Sequence, residues 1–288
     1  MSGRRFANAT AGQLERLVRT LLAARVFPDE DTLRAVLRAR PWAVQVNDRG
    51  DVAVLDRWRD HLDVIAIEAL WCPHRHLARA IADIESCAVE HGFSGIVSPP
   101  VLEADVPFYR AAGLEVREML EILELGSGSL GGADRPRDIC IRTASPADLP
   151  TILEVDAACF EPFWRYDLRH LQWFCAAGGL ALAEQGGRCL GYTLVTIDRD
   201  SAVLGRLCVG SLFRRRGVGM QLLRCAVGDA RDAGARYVTL STQTGNVGAL
   251  ALYRASGFKL TGRRYAFLTL GSDVRGGEGD RIGPFMGD

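Results

Sequence analysis

Three arginines run directly into two glycines at Arg214-Arg215-Arg216-Gly217-Val218-Gly219, and residues of these types in this order can hold a phosphate. A glycine-containing turn lets backbone N–H groups approach an anion without a Cβ in the way. A helix beginning there adds the positive end of its dipole, and the guanidiniums add charge. A pyrophosphate is the ligand such a loop suits. The run is not a Walker loop, because the Gly-Lys-Ser/Thr ending is absent. Nor is it Gly-x-Gly-x-x-Gly, because no third glycine or ribose-binding acid follows in register. Nucleotide hydrolysis and hydride transfer therefore lose ground. Taken alone, an arginine-rich solvated loop capped by glycines is the commoner meaning of such a run, so its context has to decide.

That context is a regular alternation of strands and helices. The segment 138–143 has strand character, and Ser145-Pro146 opens an amphipathic helix running toward Phe160, with Ser145 as N-cap and Pro146 in the first turn. A second helix is expected over 167–176, then strands over 180–183 and 189–197 joined at Gly186-Gly187, and a further strand over 202–209. The arginine loop follows that strand directly. It leads into a helix with Leu222, Leu223, Ala226, Val227 and Ala230 on one face, ending near Gly234. A strand over 237–242, a short helix over 246–256 and a strand over 259–270 complete the series.

The whole chain has 288 residues, near twice the usual domain size, and 48% of them are hydrophobic against 24% charged. It can build real cores and lacks the composition of disorder. Lys plus Arg and Asp plus Glu each number 35, so no global field draws it to nucleic acid or to an anionic membrane. Eight cysteines stand singly without a Cys-x-x-Cys pair, as expected of reduced, mostly buried thiols. Arginines 16, 19 and 25 interrupt the apolar stretch near the N-terminus, so neither a signal peptide nor a membrane span fits and a cytoplasmic protein is expected.

The sharpest compositional break is 126–137, rich in Gly and Ser, which divides the chain into domains over 1–125 and 138–270 with a flexible tail over 271–288. The halves echo each other. Residues 6–14 (FANATAGQL) mirror 141–149 (IRTASPADL), and 109–113 (YRAAG) mirror 253–257 (YRASG) in the same order, which argues for an internal duplication.

The loop resembles the Arg/Gln-x-x-Gly-x-Gly/Ala loop of the GCN5-related N-acetyltransferases (GNAT). A second element of that family fits downstream, where Asn246, Ala249, Leu252-Tyr253 and Gly257-Phe258 match N-x-x-A-x-x-L-Y-x-x-x-G-F. The resemblance covers the second half. It implies an α/β (α+β) chain of two tandem GNAT folds, each a mixed, mostly antiparallel twisted sheet flanked by helices. It also implies acetyl transfer from acetyl-CoA directly to the primary amine of a small molecule or peptide N-terminus, with no metal. By the same resemblance Arg214, Arg215, Arg216, Gly217, Val218 and Gly219 hold the pyrophosphate of coenzyme A. Leu207, Cys208 and Val209 lie on a strand that splits from its neighbour and offers backbone groups to the pantetheine arm and the thioester. Asn246 binds the cofactor or caps its helix, and Tyr253 is the catalytic acid that protonates the departing thiolate. Cys208 as a covalent nucleophile ranks below Cys208 as a core residue.

The general base is not evident. Relatives that acetylate ribosomal-protein N-termini carry a Glu twelve positions before the Tyr, and here that position is Ser241. Glu161, Asp198 or a water chain remain. An amine of low pKa suits a site without a strong base, since an α-amino group at about 7.7–8 is partly neutral at physiological pH. Cys159-Phe160-Glu161-Pro162-Phe163-Trp164 lies where this family lines its acceptor site, although Phe163 and Trp164 are equally suited to core packing. The first half has Trp71-Cys72-Pro73-His74-Arg75-His76 at the phosphate-loop position and Leu102 at the Asn position, so it has the character of a degenerate copy. A solvated loop outranks a metal site at Cys72, His74 and His76. The alternative to an enzyme is a catalytically silent acyl-CoA-binding sensor.

Overall fold

The computed structural model of the chain describes residues 5–23, 26–27, 29–59, 61–126, 130 and 138–271. Most of the Gly/Ser-rich linker and the expected tail beyond Gly271 lie outside the described residues. The chain divides into two compact units, one of Met1–Glu118 with Ala266–Asp288 and the other of Met119–Tyr265.

In chain order the strands and helices are β1 (Ala7–Asn8), α1 (Ala11–Ala23), α2 (Glu30–Ala39), β2 (Val44–Val46), β3 (Val52–Arg57), β4 (Val64–Trp71), α3 (His74–Glu90), β5 (Gly95–Val97), β6 (Val101–Leu102), α4 (Val106–Ala111) and β7 (Glu115–Leu125). They continue as β8 (Cys140–Thr143), α5 (Leu149–Cys159), α6 (Leu168–Ala176), β9 (Leu180–Gln185), β10 (Arg188–Asp198), β11 (Ser201–Val209), α7 (Val218–Asp232), β12 (Tyr237–Gln243), α8 (Val247–Ala255) and β13 (Lys259–Leu270). No helix among the described residues is long and apolar enough to cross a membrane.

The first unit pairs β1 with β2, β2 with β3 and β3 with β4 antiparallel, then β4 with β5 parallel through the crossover helix α3. Its last pairing is antiparallel, between β5 and the end of β13, with Thr269 opposite Val97. The second unit repeats the series. There β8–β9, β9–β10 and β10–β11 are antiparallel, β11–β12 is parallel through α7, and β12 closes antiparallel on β7, with Val238 opposite Leu125. Each unit thus completes its sheet with a strand drawn from the other half of the sequence. Residues 119–125 of β7 belong to the second unit and residues 266–270 of β13 to the first.

The second unit's sheet is covered on both faces. Leu149, Ile152 and Leu171 of α5 and α6 share one apolar cluster with Tyr192, Leu194 and Cys208. On the other face Leu223, Ala226, Val227 and Ala230 of α7 share another with Val195, Leu204 and Leu240. One inserted residue decides which side chains of β11 face which helices. Leu194 stands opposite Arg206 and Val195 opposite Leu204, so Gly205 has no opposite number. This β-bulge turns Arg206 and Cys208 to the face opposite Leu204, although strict alternation would place all three together. A Cβ on Gly205 would come within 3.0 Å of Leu194 Cδ2, which suits glycine at the bulge. The first unit has the same irregularity, with Val54 opposite Ala69 and Leu55 opposite Ile67.

Candidate active site

The parallel pairing of β11 and β12 begins at Ser201 with Tyr237 and ends at Leu204 with Leu240. Beyond that point the two strands keep their outer partners, β10 and β7, but no longer pair with each other. A wedge opens in the middle of the sheet, and the backbone edges facing it have no strand partner. Leu207, Cys208 and Val209 form the end of one wall. The Val209 carbonyl there accepts from Arg214 Nε at 3.2 Å and from Cys159 Sγ at 3.5 Å.

The arginine loop turns at the mouth of this wedge. Arg215 and Gly217 both have left-handed backbone, with φ of 61° and 81°. Gly217 is the N-cap of α7, and no side chain caps that helix, whereas Asp167 caps α6 at 2.7 Å and Asn246 caps α8 at 3.2 Å. The first N–H groups of α7 are therefore available to an external acceptor. Gly219 serves packing: a Cβ there would lie 3.3 Å from Leu252 Cδ2 and 3.5 Å from Val209 Cγ2. Val218 is buried, while Arg214, Arg215, Arg216 and Gly217 are exposed. Uncapped donors, three exposed guanidiniums and a turn free of side-chain obstruction fit a pyrophosphate group.

The profile described as "Acetyltransferase (GNAT) family" matches residues 149–258. N-alpha-acetyltransferase MAK3 of Arabidopsis thaliana is 30% identical over 132 residues, covering 44% of this chain and 68% of that protein. The chain belongs to the GNAT acetyltransferase family. N-acetyltransferase 8F1 of Rattus norvegicus is 36% identical over 101 residues, covering 33% of this chain and 45% of the rat protein. The chain spans less than half the length of the first mammalian relatives it matches. Among solved structures, a tandem GNAT protein from the clavulanic acid biosynthesis pathway superposes with a TM-score of 0.63 at 18% identity, covering 94% of this chain and 98% of that one. At that identity it supports the fold alone.

Within this GNAT unit Tyr253 sits on α8, only 6% exposed, in the same apolar cluster as Leu204 and Leu240, the last residues paired before the wedge opens. Its ring leans on Phe258 at 5.8 Å. The hydroxyl has no hydrogen-bond partner among the described residues, and burial pushes its pKa above the ordinary tyrosine value. Asn246 spends its side-chain oxygen on capping α8. Ser241 is exposed and immediately follows Leu240, at the fork of the wedge. Of the two carboxylates considered as bases, Asp198 pairs with Ser201 at the far end of β11, four residues before the bulge, or about 13 Å along the strand. Glu161 belongs to the segment between α5 and α6, where its carbonyl accepts from the Trp164 N–H at 3.0 Å. Phe163 and Trp164 in that segment are buried edge-to-face against each other at 4.8 Å, which makes them core rather than lining.

A buried polar network fixes the same segment, and pattern reading missed it. Asp156 and Tyr192 are both 0% exposed and Arg206 is 8% exposed. The Tyr192 hydroxyl donates to Asp156 Oδ1, and burial keeps that phenol protonated. The Tyr166 N–H donates to Asp156 Oδ2 at 2.9 Å, and Arg206 Nε lies 3.3 Å from Oδ1. The guanidinium also donates to the Trp164 carbonyl and lies between the rings of Phe160 at 3.8 Å and Tyr166 at 4.2 Å. The signal in the sequence was a strand arginine among apolar neighbours, but only the bulge reveals which face it takes. Asp156→Asn removes the charge opposite a buried guanidinium and should lower stability by about 2 kcal/mol. A urea denaturation midpoint equal to the wild type's would show that the pair does not hold this segment.

Proposed function

We propose that the Met119–Tyr265 unit moves an acetyl group from acetyl-CoA directly to the primary amine of a small molecule or a peptide N-terminus. The observation that carries this reading is the parting of β11 from β12 after Leu204 and Leu240, with an uncapped, arginine-flanked helix N-terminus at its mouth. In this reading Arg214–Gly219 hold the pyrophosphate, and the free edge at Leu207–Val209 pairs with the pantetheine arm. A backbone N–H on that edge steadies the negative charge that develops on the thioester oxygen. Tyr253 holds a proton for the departing thiolate. The segment from Phe160 to Tyr166, pinned by Arg206, borders the acceptor. Ser241 at the fork supplies no carboxylate, which favours an acceptor whose amine is already partly neutral. The name of the Arabidopsis relative supports a peptide α-amine.

The first unit fits a degenerate copy. Trp71-Cys72-Pro73 stands where the glycines stand in the second unit. His76 Nδ1 is held by the buried Asp51 at 3.1 Å, and His74 stacks on Phe108 at 4.0 Å. The absent carboxylate at Ser241 also keeps a second reading in view, a silent acyl-CoA sensor. Release of free coenzyme A from acetyl-CoA, measured across amines and peptide N-termini, separates the two. Acceptor-dependent turnover is the expected result. Tight binding without transfer to any acceptor would favour the sensor, and absence of binding would remove both.

A further inference from the structure

Two cysteines meet beside the wedge. Cys159 is the last residue of α5 and Cys208 the penultimate residue of β11, and the bulge at Gly205 is what turns Cys208 toward α5. Both side chains pack into the apolar cluster between α5 and β11. Cys159 Sγ lies 3.5 Å from the Val209 carbonyl and Cys208 Sγ lies 3.8 Å from the Val155 carbonyl, so each is held where it meets the other's element. Access differs sharply: Cys159 is partly exposed, whereas Cys208 is 2% exposed. Reactivity differs in the same sense. The neighbouring Cys208 thiol, aided by the Arg214 guanidinium, draws the Cys159 thiol below the ordinary cysteine value against burial and the Asp156 charge. The neighbouring Cys159 thiol and burial push Cys208 well up. An accessible, thiolate-prone cysteine backed by a second, protonated one is the arrangement of a peroxide-sensing pair.

We propose that Cys159 and Cys208 form an oxidisable pair in which a hydroperoxide converts Cys159 to a sulfenic acid and Cys208 resolves it to a disulfide linking α5 to β11. In the first step the Cys159 thiolate attacks the outer peroxide oxygen. The O–O bond breaks, and the other oxygen leaves as water, or as an alcohol from an organic peroxide, carrying the thiol proton. In the second step Cys208 sulfur attacks the sulfenic sulfur, the S–O bond breaks, and hydroxide leaves as water with the Cys208 proton. The peroxide takes up the two electrons lost by the thiols. One consequence rests on the acetyltransferase reading above. The bond locks Cys159 over the Val209 carbonyl that the pantetheine arm would use, so the oxidised chain binds acetyl-CoA less well.

The test treats the full chain with hydrogen peroxide, then titrates thiols and maps peptides. The wild type should lose two of its eight thiols first, yield a Cys159–Cys208 linked peptide, and regain both thiols with dithiothreitol. Cys208→Ala should stop at a Cys159 sulfenic acid trapped by dimedone, and Cys159→Ser should leave Cys208 unmodified at the same dose. A wild type in which other cysteines oxidise first, or in which Cys159 runs on to sulfinic acid with no linked peptide, overturns the pair. Calorimetry with acetyl-CoA on reduced and oxidised protein tests the consequence. At least a tenfold weaker Kd after oxidation is expected, and equal affinity overturns the coupling to the wedge. Failure of the reduced protein to bind acetyl-CoA would remove the functional reading while the linked peptide still decides the pair.

Discussion

Gly217→Glu should weaken acetyl-CoA binding by more than about a hundredfold while the protein remains folded. Two effects act in the same direction. The residue has φ of 81°, a left-handed conformation in which a side chain costs about 1–2 kcal/mol. The new carboxylate would also stand at the uncapped start of α7, where the reading above places a pyrophosphate, replacing attraction by like-charge repulsion. Gly217→Ala isolates the first effect. It should lower stability by about 1 kcal/mol and leave binding within about tenfold of wild type, since the strain of the turn is not itself a charge effect. Calorimetric titration of both variants is the measurement. Equal binding by Gly217→Glu and wild type would mean that the loop does not hold the cofactor.

Tyr253→Phe should reduce kcat by about a hundredfold or more, the usual range for loss of a general acid. The Michaelis constant for acetyl-CoA should stay within about twofold, because the ring and its contacts remain. Stability is the informative control. The hydroxyl has no partner among the described residues, so its deletion breaks no hydrogen bond and the melting temperature should hold. Burial raises the phenol's pKa, so the acid form is present below the ordinary tyrosine value of about 10 and persists above it. Activity should therefore show no loss from Tyr253 ionisation on the alkaline side of an ordinary profile. The raised pKa would weaken the acid against a thiolate in water, but a thiolate enclosed beside it is desolvated too, and both pKa values move upward. A Phe variant with full turnover would make Tyr253 a packing residue.

The arginine–glycine turn, its flanking strand and helix, and the short helix bearing Tyr253 were legible because glycine, proline and apolar periodicity are local signals. Asn246 caps its helix, one of the two roles its position suggested. The Asp156, Tyr192 and Arg206 network was not legible, since period-two alternation assigns Arg206 to the face of Leu204. One extra residue in β11 reverses that assignment, and Gly205 has no sequence neighbourhood that announces it. Phe163 and Trp164 illustrate the same limit, because an aromatic pair reads alike whether it lines a site or fills a core. The partners of β7 and β13 were equally hidden. The strand over 259–270 is recognisable by composition, but nothing local specifies which sheet it completes.

That last feature bears on how the chain is made. The second unit is continuous from Met119 to Tyr265, so its sheet can close as soon as that stretch has left the ribosome. The first unit still lacks its edge at that moment, because Val97 and Ile96 wait for Thr269 and Leu270. Domains ordinarily finish in the order of their synthesis. Here the half that is translated first is completed last, and a chain cut after Tyr265 would keep a finished second unit and leave the first unit with an open strand edge.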